Sequence, residues 1–378
     1  MKGKFISVYV LMLLSFITFY SCSEKTDTLT ESLLKNSQNL EKKPVTNVTV
    51  TVFATGLNNP RGLTFGPDGY LYVAEGGLGG TDSTIGICDQ VIPPIGPYTG
   101  GFTASISKID PSGVVSIVAD SLPSDQTSAQ SGGLVSGVAD IEFVGNTLYA
   151  LLSGAGCSHG FPNDPNAIIK INSDGTWTML ANLSEWQQNH PVRNPEEDDF
   201  EPDGTWYSLQ QHNGILYAVE PNHGEMVRVT TSGSIRRVID FSASYGHIVP
   251  TALAYHGNFY VGNLNTFPIV EGSSNIYKVT PSGQSMVWAT GFTTVLGLVF
   301  DNQADMFVLE MSHTNGDPVP NTGRIIKVLP SGVKQVLVDS LFFPTGMTMG
   351  SDGALYISNK GFGPAIPGFG EILKVTTQ

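Results

Sequence analysis

The chain has 378 residues, and its internal repetition constrains the fold more than any other feature. One pair of apolar runs recurs six times; LTFGPDGYLYVAE (63–75), for example, matches MTMGSDGALYISN (347–359) without a gap. Each pair is followed by a second pair, such as ISKIDPSGVVSIVAD (106–120), in which Ser-Gly or Asp-Gly marks a hairpin turn. Four strands in about 45 residues are typical of a propeller blade.

The sixth unit lacks its outermost strand, because ILKVTTQ (372–378) supplies only the third. The unpaired run NVTVTVFATGL (47–57) fits the missing position, and its FATGL resembles WATGF (288–292), the end of a complete fourth strand. We therefore predict an all-β, six-bladed β-propeller of four-stranded blades, closed by residues 47–57 pairing in the last blade. Closure of this kind removes exposed sheet edges. An open β array or two sandwiches would leave this complementarity unexplained.

The N-terminal segment has the features of an export signal. Lys2 and Lys4 precede an apolar run over 5–20, and Ser21-Cys22 then resembles a bacterial lipobox. The run is shorter than the ~20 apolar residues that a spanning helix needs. We predict a lipoprotein signal peptide (1–21), a polar tether (22–47) and the propeller (48–378), anchored to the cell envelope through lipid on Cys22. The alternative is an ordinary signal peptide.

The charge balance restricts the partners. The chain carries 33 acidic and 19 basic residues, a formal net charge of −14. Such a surface repels phosphate backbones, which argues against nucleic-acid binding, and it is compatible with cations. We expect a monomer that contacts the membrane only through its lipid anchor.

The remaining cysteines predict a disulfide. Cys88 lies in a Gly- and Pro-rich insertion at 76–104, and Cys157 lies in a shorter insertion at 153–166. Export would place both where disulfides persist. A bridge between them would join neighbouring loops over one mouth of the channel, although their spacing does not establish the geometry.

Polar residues recur where the second strand of each blade ends. The position holds Leu152 in blade two and Glu or Asn in the other five blades: Glu75, Glu220, Asn263, Glu310 and Asn359. Carboxylate and amide oxygens are the ligands that Ca²⁺ and other divalent cations prefer, and Asp140 at the start of blade two could add another. These residues are our candidate ligand-binding set. The alternative is that each side chain bonds loop amides of its own blade.

The matches of this sequence to known catalytic motifs are weak. GCSHG (156–160) matches G-x-S-x-G literally, but a nucleophile elbow needs a strand-to-helix turn in an α/β sheet. His159, His223 and His313 fall in or beside the loops after strand two, where a histidine without a visible partner is expected to be exposed.

The stretches GLNNPRGLTFGPDGYLYVAEGGLGG (56–80) and FPTGMTMGSDGALYISN (343–359) resemble ScyD/ScyE-like propellers, which are related in form to NHL and SMP-30/gluconolactonase propellers. The resemblance implies an extracytoplasmic location and supplies no agreed catalytic set. Gluconolactonase-like relatives imply a divalent metal held in the channel by Glu and Asn, for which Glu75, Asn263 and Asn359 are chemically suitable.

Two functional hypotheses follow. In the first, the protein is a lipid-anchored propeller that binds a small molecule, glycan or protein on its loop-rich channel face. In the second, it is a divalent-metal-dependent hydrolase or lactonase with the metal in the central channel.

Overall fold

A computed structural model describes residues 47–195 and 201–377. The predicted signal peptide, Cys22, nearly all of the predicted tether and the acidic run at 196–199 lie outside these residues. Six antiparallel sheets follow one another along the described chain, and each contains four strands apart from a short fifth strand in the first. The predicted six-bladed β-propeller is confirmed.

The strands of each blade run from the channel outward in chain order. Blade one has β2 (Pro60–Phe65), β3 (Leu71–Glu75), β4 (Thr99–Ile109), β5 (Val115–Gln126) and the short β6 (Val135–Ser136). Blade two has β7 (Val138–Val144), β8 (Thr147–Leu152), β9 (Ala167–Ile171) and β10 (Trp177–Asn182). Blade three has β11 (Ser208–His212), β12 (Ile215–Glu220), β13 (Glu225–Thr230) and β14 (Ile235–Asp240).

The last three blades continue the pattern. Blade four has β15 (Pro250–Tyr255), β16 (Phe259–Asn263), β17 (Ser274–Val279) and β18 (Ser285–Phe292). Blade five has β19 (Val295–Phe300), β20 (Met306–Glu310), β21 (Gly323–Val328) and β22 (Lys334–Leu341). Blade six has β23 (Gly346–Met349), β24 (Leu355–Asn359), β25 (Gly370–Thr377) and, as its outer strand, β1 (Val48–Leu57).

The N-terminal strand closes the ring as predicted. β1 pairs antiparallel with β25, from Val48 opposite Thr377 to Leu57 opposite Gly370. The first strand of the chain therefore completes the last blade and covers the edge that β25 would otherwise expose.

Six apolar clusters hold the blades together, one at each interface between neighbours. The cluster that joins blades six and one contains Leu57 from β1, Leu71 from β3 and Ile372 from β25, all at most 1 % exposed. Burial of apolar surface on both faces of every sheet thus stabilises the ring.

The hairpins between third and fourth strands explain one recurring glycine. The turn glycine has a φ of +84° to +88° in all five complete repeats. Few residues with a side chain adopt this left-handed conformation, which accounts for the Ser-Gly or Asp-Gly in each pair. The glycines are Gly113, Gly175, Gly233, Gly283 and Gly332.

Helices are few among the described residues. Helix α1 (Leu183–Asn189) is capped by Asn182, whose side chain accepts from the backbone N–H of Glu185. A second helix, α2 (Phe241–Tyr245), and two 3₁₀ turns (Ala129–Ser131 and Cys157–His159) were not predicted. None of these helices is long and apolar enough to cross a bilayer.

Antiparallel strand order gives the propeller two distinct faces. Strand one of each blade begins, strand two ends and strand three begins on the same face, which we call the loop face. The opposite face carries the hairpins between strands three and four, and we call it the hairpin face. The first strands β2, β7, β11, β15, β19 and β23 surround the central channel.

Candidate functional site

Glu75 caps the entrance to its own blade. One carboxylate oxygen accepts from the backbone N–H of Asn58 at 2.6 Å, and the other accepts from the Ser107 hydroxyl at 2.5 Å. Burial raises the pKa of Glu75, while the hydrogen bonds from Asn58, Ser107 and Ser105 oppose the shift. The carboxylate therefore satisfies a backbone donor where the chain turns into strand one.

The other carboxylates at this position make the same contact. Glu220 accepts from the backbone N–H of Thr205 at 2.9 Å, and Glu310 accepts from that of Thr293 at 2.8 Å. Glu310 also holds the side chain of Arg324 at 2.5 Å. In each case the donor lies in the segment that enters strand one of the same blade.

The two asparagines play the same structural part. Asn359 accepts from the backbone N–H of Phe342 at 3.0 Å and donates to Glu371. Asn263 donates to the carbonyl of Ile248 at 2.7 Å. Each of these polar side chains is thus hydrogen-bonded within its own blade.

The side-chain oxygens of Glu75, Asn263 and Asn359 accept hydrogen bonds within their own blades, so a metal shared by the three would have to compete with these donors. No group of three or more His, Cys, Asp or Glu in the described ranges 47–195 and 201–377 is placed to hold a metal ion. Binding of Ca²⁺ or another divalent cation stays a prediction that calls for a titration.

Asp140, by contrast, lies in the channel. Its carboxylate accepts from the backbone N–H of Leu209 in blade three at 2.7 Å and from that of Ile141 at 2.9 Å. Gly62 of blade one faces it so closely that a Cβ there would overlap the carboxylate. Blade one therefore requires glycine beside Asp140, and the side chain borders a cavity of about 170 Å³ lined by the first strands of all six blades.

Glu142 extends the acidic surface two residues further along β7. It accepts from the side chain of Gln210 at 3.0 Å. Burial raises the pKa of Asp140 to about 7. Burial, followed by the charge of Asp140, raises the pKa of Glu142 to about 8. No Lys or Arg of the described chain forms an ion pair with either group. We call Asp140 and Glu142 the channel acids; Glu142 was not predicted.

Tyr207 spans the channel near the loop face. Its hydroxyl donates to the carbonyl of Thr345 in blade six at 3.0 Å, although Tyr207 itself precedes blade three, on the far side of the ring. Burial raises the pKa of Tyr207 to about 12, and the charge of neighbouring Arg61 opposes this shift. Arg61 is buried and donates to the carbonyl of Val135. These side chains narrow the loop-face end of the channel above the channel acids.

A second polar cluster lies beneath the long loops. His159 is fully buried, with Nδ1 2.6 Å from Asp125 and Nε2 3.9 Å from Glu201. Burial alone would lower its pKa, but the carboxylates of Asp125, Glu201 and Asp203 raise it to about 9. Tyr98 donates to Glu201 at 2.6 Å. We call His159, Asp125, Glu201 and Tyr98 the histidine cluster.

The histidine cluster corrects the expectation that His159 is exposed. Ser158, from the GCSHG stretch, is also buried and donates its hydroxyl to Asp203 at 2.7 Å. His223 packs against Glu220, with Nδ1 3.3 Å from the carboxylate. Because no solvent reaches His159 or Ser158, the cluster stabilises the loops and does not form an open reaction centre.

The structure joins Cys88 and Cys157 in a disulfide, with the Cα atoms 6.3 Å apart. The hydroxyl of Thr84 donates to the carbonyl of Cys157 beside it. The disulfide therefore links the two insertions covalently over blades one and two, beside the histidine cluster.

Solved structures with similar architecture support the fold. No protein-family model matches the chain, and no curated protein matches it significantly. A PQQ-bound aldose sugar dehydrogenase from Streptomyces coelicolor aligns with a TM-score of 0.53 and 14% identity over 89% of this chain and 100% of its own. A gluconolactonase from Xanthomonas campestris aligns with a TM-score of 0.52 and 10% identity over 88% of this chain and 90% of its own.

A Bacteroides thetaiotaomicron protein of unknown function gives a TM-score of 0.54 and 12% identity, over 88% of this chain and 76% of its own. The chain shares the β-propeller fold with these proteins. At such identities the likeness concerns architecture alone. The resemblance to ScyD/ScyE-like proteins rests on sequence motifs and stays a prediction.

Proposed function

We propose that this propeller binds a small polar ligand in its central channel and that the channel acids recognise a cationic group of that ligand. The observation that carries the proposal is the placement of Asp140 and Glu142 beside a cavity of about 170 Å³ without a Lys or Arg partner in the described chain. Two carboxyl groups in a low-dielectric channel must hold protons or bind a cation at neutral pH.

The cavity size limits the ligand. A volume of about 170 Å³ holds several water molecules or one compact ligand group, because a single water needs roughly 10–15 Å³ on the same measure. Gln210 and the hydroxyls of Thr64, Ser208 and Thr348 line the same space and offer further hydrogen bonds. A small amine or a hydrated cation suits this lining.

A ligand screen by thermal shift tests the proposal. Small diamines, amino acids and Ca²⁺ are added to the full chain and to a variant that combines Asp140→Asn with Glu142→Gln. We expect at least one cationic compound to raise the Tm of the native chain and to leave the double variant unchanged. Asp120→Asn, which alters an exposed carboxylate on the outer strand β5, is the matched control. The proposal fails if no cation stabilises the chain or if the double variant responds equally.

A hydrolase or lactonase is the second candidate. It is favoured by the pKa values of about 7 and 8, since a general acid or base works best near the operating pH. Gluconolactonase and sugar dehydrogenase structures share the fold, although their identity to this chain is low. Turnover of aldonolactones that is lost in Glu142→Gln would support this candidate, whereas turnover unaffected by that change would exclude the channel acids as catalysts.

We also propose that the protein is exported and lipid-anchored through Cys22. The Cys88–Cys157 disulfide supports an oxidising compartment. Metabolic labelling with palmitate tests the anchor. We expect label in the native chain and none in Cys22→Ser; label in both would contradict the anchor site.

A further inference from the structure

Exposed apolar side chains are concentrated on the loop face. Seventeen large hydrophobic residues are exposed in the described ranges, and nine of them lie in the loops between strands two and three. Their exposed fractions run from 39 to 67 %. They are Ile85, Ile87, Ile92, Ile95, Phe267, Val270, Val319, Ile366 and Phe369. Since scattered single residues need no explanation, the clustering on one face is the informative feature.

Covalent and hydrogen-bonded contacts hold the blade-one loop in this exposed conformation. The disulfide at Cys88 follows Ile87 directly, and Ile85 forms a β-bridge with Cys88. Further along, the carbonyl of Ile95 accepts from the backbone N–H of Ser128 at 2.8 Å. A rigid loop that presents apolar side chains loses little conformational entropy when a partner binds.

The segment that follows β5 contacts the blade-one loop through Ser128 and the blade-six loop through Leu134 and Val135. Leu134 pairs with Pro364, and the backbone N–H of Val135 donates to the carbonyl of Gly363 at 3.1 Å. Phe369 packs edge-on against Phe342, with ring centroids 5.5 Å apart. We call the outward side chains of Ile85, Ile87, Ile92, Ile95, Ile366 and Phe369 the loop patch.

The charge of these loops indicates the kind of partner. The six loops between strands two and three contain a single Lys or Arg, Lys360, and its ammonium group already bonds Glu371 at 2.9 Å. The same loops contain five acids: Asp82, Asp89, Asp164, Glu271 and Asp317. Exposed apolar side chains on a face whose loops carry five acids and one paired Lys complement a surface that combines apolar and basic residues.

We infer that the loop patch docks a segment of another protein in which apolar side chains are interspersed with Lys or Arg. An anionic lipid surface or a nucleic acid would meet uncompensated carboxylates. A second copy of this chain would bring two acidic faces together.

This docking surface does not depend on the channel. Tyr207 and Arg61 lie between the loop face and the channel acids, so a partner on the loops would not touch Asp140 or Glu142. A chain in which Asp140 and Glu142 are replaced should therefore bind the partner normally.

Fluorescence anisotropy with a labelled synthetic peptide of alternating leucine and lysine tests the inference on the full chain. We expect saturable binding that weakens with salt, and binding at least about tenfold weaker for the leucine–glutamate counterpart. Combining Ile87→Ser with Ile366→Ser should lower the affinity about tenfold, as expected when central apolar contacts are removed. Ile117→Ser, at an equally exposed position on the outer strand β5, should change it less than about twofold.

Several results would overturn the inference. They are no saturable binding of the leucine–lysine peptide, equal loss of affinity in Ile117→Ser, and equal binding of the leucine–glutamate peptide. A concentration-dependent dimer that disappears in the loop variant would assign the surface to a second copy. Cosedimentation with phosphatidylcholine vesicles that requires Ile87 would assign it to lipid. A tenfold gain in peptide affinity after removal of residues 1–46 would assign it to the chain's own N-terminal segment.

Discussion

Glu75 is a buried carboxylate and Asp140 a half-buried one near the inner part of the propeller, and their surroundings give them different roles. Both carboxylate oxygens of Glu75 accept hydrogen bonds within blade one, from the backbone N–H of Asn58 and the hydroxyl of Ser107. Asp140 borders a cavity, and burial raises its pKa to about 7. Each carboxylate accepts two hydrogen bonds, so access to the channel, and not the number of donors, separates the cap from the candidate ligand-binding residue.

The cap role of Glu75 predicts a stability effect. Glu75→Ala leaves the N–H of Asn58 without its acceptor, so the free energy of unfolding should fall by about 1–3 kcal/mol. Glu75→Gln keeps one acceptor oxygen and should cost less. Urea unfolding measures both, with the exposed Glu185→Gln as the control. An unchanged midpoint for Glu75→Ala would contradict the cap role.

The histidine cluster predicts a pH dependence. The pKa of His159 in the folded chain is about 9, above the ordinary value of 6.5. The stabilisation by its ion pairs is therefore complete below pH 6.5 and is lost as the pH rises through 9. The difference corresponds to about 3 kcal/mol at most, at 1.4 kcal/mol per pKa unit. Urea unfolding between pH 6 and 9.5 should show this decline in the native chain and a flatter profile in His159→Gln. Parallel profiles would refute the assignment.

At the scale of elements, β1 stabilises the ring in two ways, through strand pairing and through apolar packing. It is the first described strand, yet it pairs with the last, β25. Its Leu57 also enters the apolar cluster between blades six and one. Without β1 the ring would have an open edge and an incomplete core at one interface.

Deletion of residues 47–57 tests ring closure. We expect a lower Tm and self-association through the exposed edge of β25. A synthetic peptide of sequence NVTVTVFATGL, added in trans, should restore a monomer and raise the Tm. A scrambled peptide of the same composition is the control. A truncated chain that stays monomeric with an unchanged Tm would show that β1 does not close the ring.

The elements could be predicted from the sequence because blade structure repeats locally. Strand pairs and turn glycines recur at similar spacing, and the orphan run at 47–57 complements the incomplete last unit. Bonding of the strand-two ends to loop amides was one of the two readings of the sequence, but the individual donors could not be predicted because any residue type can supply a backbone N–H. These donors belong to Asn58, Thr205, Thr293 and Phe342, whose side chains follow no common pattern.

The functional clusters escaped prediction for a related reason. Asp125, His159 and Glu201 come from three separate segments that only the tertiary packing of the loops brings together. Glu142 lies in an ordinary strand pattern, and nothing in IEFVGNTLYALL (141–152) marks it as a channel residue. Asp140 was predicted because it lies near the start of β7, one of the first strands that line the channel.

At the scale of the whole molecule, the six blades form a rigid ring around two carboxyl groups that reduce its stability. Both folded pKa values lie above the ordinary ones, so ionisation of the pair increasingly opposes folding as the pH rises from about 4 through 8. Residues that reduce stability are common at binding sites, where evolution retains them for function. The loop patch, on the same argument, exposes apolar side chains that a protein without a partner would bury.

The most direct test of the channel site is a carboxyl ¹³C NMR titration of the full chain labelled at Asp and Glu. Besides Glu225, whose pKa burial raises to about 7, we predict two further carboxyl groups with apparent midpoints near 7 and 8, read as properties of the coupled pair. Both signals should be absent from the variant that combines Asp140→Asn with Glu142→Gln. Titration of every carboxyl group near its ordinary value of about 4 would contradict the account, because the channel would then hold no uncompensated acid pair for a cationic ligand.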